Sequence, residues 1–241
     1  MVRSSRLLGL FAAFAVCSAL CLGALAGPAA GLSDAEYREM VEDPDFAKSD
    51  KRLNEVWSGL LKEGGLSKAG IRVLKADQAE WVRKGRDTQA KILMEGGSTA
   101  LEAYTAATRL RADELPGIAR RIFLQDRPDG PQGYYVRREN GRETGWLSVR
   151  WTDKKAGEVS VDAEAILVLR PDNVRSGLWS GGGAVQKGVL KAPDEEGEGS
   201  ATFTFKGDRV QVATTSDFAS GSMGMGVTIE GTYVRQGLPK L

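Results

Sequence analysis

The hydrophobic period changes once along this 241-residue chain, and that change restricts the fold more than any motif does. Up to about Leu115 the large apolar residues recur every three or four positions, the period of an amphipathic helix. From Tyr134 onward they alternate with polar residues, the period of a strand with one buried face. The pattern predicts an α+β chain: a small N-terminal helical unit of three to four helices over 33–117, a linker over 118–132, and an all-β antiparallel barrel or sandwich over 133–236. At this length the chain can hold one large core or two small ones.

The first residues have a different character. Arg3 and Arg6 precede an apolar run from Leu7 to Leu25, and small residues follow. This is the layout of a secretory signal over 1–26, with an alternative end at 29. A retained membrane helix is the competing reading, although the run is only just long enough to span. Lipid attachment through Cys21 is another alternative, set against Leu20, a bulky residue where a lipoprotein signal has Gly or Ala. No later run resembles a span, so no stable membrane span is expected after processing and the protein is expected to be periplasmic or secreted.

Both cysteines, Cys17 and Cys21, lie in this leader, and the chain has no histidine. A processed chain would have no disulfide, no thiolate, and neither the commonest general base nor the commonest transition-metal ligand. No catalytic residue, metal ligand or cofactor is expected, and the chain is not expected to be an enzyme. Net charge is +1, and without the leader 31 basic residues face 32 acidic ones. Such a balance gives no general attraction to nucleic acid.

Local signals divide the helical part. Ser33 with Glu36 forms a capping-box pattern, opening a short helix to about Met40. Asp43-Pro44 starts the next helix, whose inward stripe holds Phe46, Leu53, Trp57 and Leu60 and which Gly64-Gly65 ends. Ser67 can cap a helix carrying Ile71, Leu74, Gln78, Trp81 and Val82 on one side. Gln78 on that stripe is either a rim residue or the donor or acceptor of a buried interhelical bond. Gly85 lowers helix propensity, yet Ile92-Leu93-Met94 suggest continuation to Gly96-Gly97. Ser98 or Thr99 can cap a last helix with Leu101, Tyr104, Thr108, Arg111 and Leu115, expected to end at Pro116-Gly117.

The β part is read as seven or eight short strands. Leu147, Val149 and Trp151 alternate with polar residues, as do Val159, Val161, Ala163 and Ala165. Phe203 and Phe205, a turn at Lys206-Gly207-Asp208, then Val210 and Val212 form a hairpin with a core face. Gly181, Gly182 and Gly183 look like a turn.

Resemblance adds to this reading. Asp43-Pro44-Asp45-Phe46-Ala47, followed by Asp50, Leu53, Asn54 and Trp57, resembles the opening of the LprI-type lysozyme-inhibitor N-terminal domain. Leu74, Gln78 and Trp81 match that family's leucine, glutamine and tryptophan in spacing, Arg86-Asp87 resembles its Arg-Asp pair displaced by one, and Thr108, Arg111, Glu114 and Leu115 resemble its terminal pattern. The resemblance covers about 40 to 116 and implies structural roles for Leu53, Trp57, Leu74, Gln78, Trp81, Arg111 and Leu115. The cysteines that relatives have around Val41, Gln89 and Leu101 to Tyr104 are absent. The run from Ala201 to Val212 with Gly231 to Arg235 looks like the β module that accompanies such proteins, again without its cysteines.

The function these features imply is an exported bacterial envelope binding protein with a protein partner, specifically a proteinaceous inhibitor of lysozyme-like muramidases. A non-catalytic structural or assembly module of the envelope is the alternative, and a glycan-active hydrolase, needing only two carboxylates, the more distant one. Candidate partner-surface residues are Arg86, Asp87, Ser220 and Gly221, against a reading in which Arg86 or Arg111 bonds between helices to Asp77 or Glu114. Ser220-Gly221 faintly resembles the loop with which unrelated β-barrel inhibitors enter a lysozyme cleft. The acid-rich stretch from Asp34 to Asp50 would favour association with a basic enzyme.

Overall fold

The computed structural model describes residues 33–170, 173–193, 199–215, 218 and 223–240. The leader expected over 1–26, with Cys17 and Cys21, lies outside the described residues, as do Ser220, Gly221 and the acidic residues from 194 to 198. The chain is α+β: helices come first and an antiparallel barrel follows. It divides into two compact units, one running through Gly64 and adding Leu74–Pro116, the other comprising Gly65–Val73 and Gly117–Leu241.

Capping sets the helix starts. α1 spans Asp34–Glu42, with Glu36 N–H donating to Ser33 Oγ and Ser33 N–H donating to Glu36 Oε2 at 2.8 Å. α2 spans Pro44–Glu63; Asp43 Oδ1 accepts from the N–H groups of Asp45 and Phe46, and Pro44 occupies the first turn, where no amide is needed. α3 spans Lys68–Glu80 and runs on through a π-helical turn, Trp81–Gly85, into α4, Arg86–Glu95. Gly97, at φ +100°, breaks the helix where expected. α5 then spans Ala100–Asp126 behind a Thr99/Glu102 capping pair.

Here the structure corrects the sequence reading. Pro116-Gly117 does not end the last helix, and 118–126 of the expected linker is helical. Pro116 itself is exposed, while Leu115, Ala119 and Ile122 on the same helix are buried, and burying that apolar face carries the helix through the proline. Residues 117–126 belong to the second unit. There Asp126 accepts from Ser67 N–H and Oγ–H, and Leu124 packs with Tyr134 and Val136. Ser67 Oγ in turn accepts from Ala69 and Gly70 N–H, giving α3 the expected cap.

Eight strands form one antiparallel sheet: β1 Gly133–Glu139, β2 Arg142–Asp153, β3 Glu158–Arg170, β4 Asn173–Ala184, β5 Val189–Pro193, β6 Ser200–Lys206, β7 Arg209–Thr214 and β8 Gly231–Arg235. Their order, β4-β3-β2-β1-β8-β7-β6-β5, is an up-and-down meander closed by the β1–β8 pair, in which Tyr135 lies opposite Arg235. β4 and β5, at the two ends of that order, pack side by side, so the barrel is nearly closed. An eight-stranded barrel has an interior just wide enough for side chains to fill. Large residues (Tyr135, Trp179, Phe203, Tyr233) are interleaved there with small ones such as Ala163, Ala192 and Ala201, all almost fully buried. Phe203, Val210 and Val212 are core residues, as the alternation implies, with Phe205 half-buried against them.

The glycine triplet is a second correction. Gly181, Gly182 and Gly183 are not a turn but lie inside β4, paired with β3. A Cβ on Gly182 would sit 2.4 Å from the Val159 carbonyl oxygen, and one on Gly181 2.4 Å from the Trp179 ring. The glycines make room for backbone and indole in the barrel wall.

Candidate functional site

Three positions of the resemblance, Gln78, Trp81 and Arg111, are joined on the helical unit. Asp77, Trp81, Lys84 and Thr88 recur at helical spacing, so one face of the α3–π turn–α4 rod carries all of them. Together with Glu80, Gly85 and Gln89 they line an open groove of about 370 Å³ against Arg111 from α5.

Arg111 organises the groove wall. Its side chain is only 5% exposed, and its guanidinium lies 5.5 Å from the centre of the Trp81 ring. Nε donates to Gln78 Oε1 at 2.9 Å and Nη2 to Asp77 Oδ2 at 2.5 Å; Nη1 lies 4.0 Å from Glu114 Oε2. Gln78 therefore makes the interhelical bond, and Arg111 pairs with both carboxylates suggested for it. The Trp81 indole N–H donates to Gln89 Oε1 at 3.0 Å. Gly85 has ordinary helical dihedrals, φ −63° and ψ −43°. Its backbone does not require glycine, but Trp81 does: a Cβ there would lie 2.8 Å from Trp81 Cδ1.

Arg86 and Asp87, expected on a partner surface, are placed inward. Arg86 is 9% exposed, with its guanidinium 5.7 Å from the Tyr37 ring centre and 5.9 Å from that of Tyr104. Asp87 Oδ1 accepts from Tyr104 Oη–H at 3.1 Å and lies 3.9 Å from Arg86 Nε. Tyr37 donates to Asp50 Oδ1 at 3.0 Å, and Asn54 donates to the other oxygen. The physical reason is electrostatic: the guanidinium lies against two aromatic rings while the Asp87 carboxylate beside it offsets its charge. Burial raises the Tyr37 hydroxyl well above its usual range, an effect the Asp50 charge adds to. Tyr104 is pushed up to about 12, mainly by burial and then by Asp87. Burial also raises Asp50, against the opposing pull of Tyr37, Arg86 and Asn54.

Asp50 sets a pH dependence of definite sign. A carboxyl whose folded value is raised binds its proton more tightly folded than unfolded, so it favours folding most at low pH. That contribution disappears as pH rises from the ordinary value of 3.8 through the raised folded one. The stability of the wild type relative to Asp50→Asn should therefore increase as pH falls across this window. Urea unfolding of both proteins on either side of it tests the sign; a relative stability that decreases would contradict it.

Leu53, Leu74 and Leu115 are buried, and Trp57 is half-buried. Sequence reading did not find the Gln89–Trp81 bond, the Tyr37–Asp50 pair or the groove. The signal for the groove was present in the spacing of Asp77, Trp81, Lys84 and Thr88 along one helix face. Among the described residues no cluster of three or more His, Cys, Asp or Glu side chains is placed to hold a metal ion, and no helix is long and apolar enough to cross a membrane. No family model, curated protein or solved structure matches the chain.

Proposed function

We propose that the protein is an exported binding protein of the bacterial envelope, acting by surface contact on a lysozyme-like muramidase and inhibiting it. One observation carries the proposal: Gln78 and Trp81, both positions of the LprI-type resemblance, are joined through the guanidinium of a third, Arg111, although Arg111 is distant from them in sequence. The leader pattern at Arg3, Arg6 and Leu7 to Leu25 supports export. Action by surface contact is supported by the barrel core, where side chains occupy the interior a ligand would need.

Purified protein should slow lysozyme-driven lysis of cell walls at stoichiometric ratios. Unaltered lysis at large excess, with several muramidases, would count against inhibition. Release of sugars from peptidoglycan by the protein alone would favour a hydrolase instead.

A structural or assembly role in the envelope is the second reading. It is favoured by Val168 and Val174, which face each other across β3 and β4 with 46% and 56% exposure, and by Leu178 at 58%. Exposed apolar residues grouped in this way suit a protein contact. Capture of a stable envelope partner without any effect on lysis would select this role.

A further inference from the structure

We propose that Asn140-Gly141, at the tip of the β1–β2 hairpin, is a site of spontaneous deamidation that converts the asparagine into a mixture of isoaspartate and aspartate. The inference is independent of the muramidase reading. Glu139 pairs with Arg142, so the loop between them has two residues, and both have positive φ, 51° at Asn140 and 77° at Gly141. This is the type I′ turn that an Asn-Gly pair favours. Both residues are exposed, and a Cβ added to Gly141 would meet no atom within 4 Å. Among the described residues, neither the Asn140 side-chain amide nor the Gly141 N–H is held in a hydrogen bond. Electrophile and nucleophile are adjacent, unengaged and open to water.

Water is the only co-reactant. Gly141 N attacks Asn140 Cγ, and the new bond closes a five-membered succinimide. The Cγ–Nδ2 bond breaks, and that nitrogen leaves as ammonia, carrying the proton from Gly141 N. Water then opens the ring. Addition at Cγ restores the ordinary peptide bond and leaves aspartate. Addition at the Asn140 carbonyl carbon leaves isoaspartate, with the chain running through the former side chain. Neither step is a redox step. Ring closure makes the Asn140–Gly141 peptide swing out of the turn, and glycine, free of a Cβ, tolerates the swing. The other two asparagines lack these conditions. Asn54 Nδ2 donates to Asp50 Oδ2 at 3.0 Å, and the amide after it belongs to the ladder of α2. Asn173 is followed by Val174, whose branched Cβ crowds the attacking nitrogen. The isoaspartyl product adds a main-chain atom to a two-residue loop, so the turn that pairs Glu139 with Arg142 no longer closes in its original form.

The test is to age the purified, folded protein in mildly alkaline buffer, well below its unfolding midpoint, and to follow released ammonia and peptide masses over time. The peptide holding Asn140 should gain one dalton, with one ammonia released per chain, before the peptides holding Asn54 or Asn173 change. An isoaspartyl methyltransferase should then transfer a labelled methyl group from S-adenosylmethionine to that peptide. The rate should rise with pH, because ring closure needs Gly141 N without its proton. Asn140→Gly keeps a turn of the same type, since Gly-Gly also suits it. This variant should lose both the ammonia release and the methyl acceptance. An Asn140 peptide of unchanged mass in the folded chain would overturn the proposal, and deamidation in denaturant alone would show that the turn protects the site. Earlier change at Asn54 or Asn173 would overturn it as well.

Discussion

Replacing Arg111 with alanine is expected to destabilise the helical unit by about 3 kcal/mol. Removing one partner of a buried ion pair costs about 3–5 kcal/mol, because the other charge remains without compensation. The lower end applies because Asp77 keeps 33% side-chain exposure and can recover some hydration. Gln78 loses its donor at the same time, and Trp81 loses the cation over its ring. Arg111→Lys should recover only part of the loss, since an ammonium cannot occupy both the Nε and Nη2 positions of the planar fork. Denaturant unfolding followed by far-ultraviolet circular dichroism would measure all three proteins. Equal midpoints for wild type and Arg111→Ala would show that the network contributes nothing to stability.

Phe203→Ala should cost about 3–5 kcal/mol, the largest effect expected in the barrel. Phe203 is fully buried on β6, opposite Val212 on β7 and Leu190 on β5. Its ring stacks on Trp179 at a centroid distance of 5.5 Å. Hydrogen-bonded ladders on both sides limit collapse around the deleted ring, so the cavity term should be felt in full. Near-ultraviolet circular dichroism reports the Trp179–Phe203 pair, and its unfolding midpoint should fall clearly. A midpoint within error of wild type would mean that the interior repacks freely, as a loosely filled barrel would.

These two sites differ in how far the sequence revealed them. Phe203 was evident as a core residue because alternation in Ala201–Val212 and the turn at Gly207 are local features with one consistent solution. Arg111 was visible as a family-like position with two suggested carboxylate partners, but its bond to Gln78 joins positions 33 residues apart and had to be found in space. Arg86 could be read from the sequence either as part of a partner surface or as bonding between helices. Its burial depends on Tyr37 and Tyr104 arriving from other helices, which no spacing around residue 86 encodes.

By itself the sequence determined the helix starts, the change from helical to strand period and the hairpin at Lys206–Arg209. Each depends on atoms a few residues apart, such as the Ser33 hydroxyl with the Glu36 amide or the Asp43 carboxylate with Phe46 N–H. Only the tertiary structure decided that α5 continues through Pro116, that Gly181 to Gly183 run inside a strand, that β1 closes on β8 and that a groove lies beside Trp81. In those places burial of distant partners, or the space a neighbouring indole or carbonyl needs, outweighs the local preference of proline and glycine to end an element.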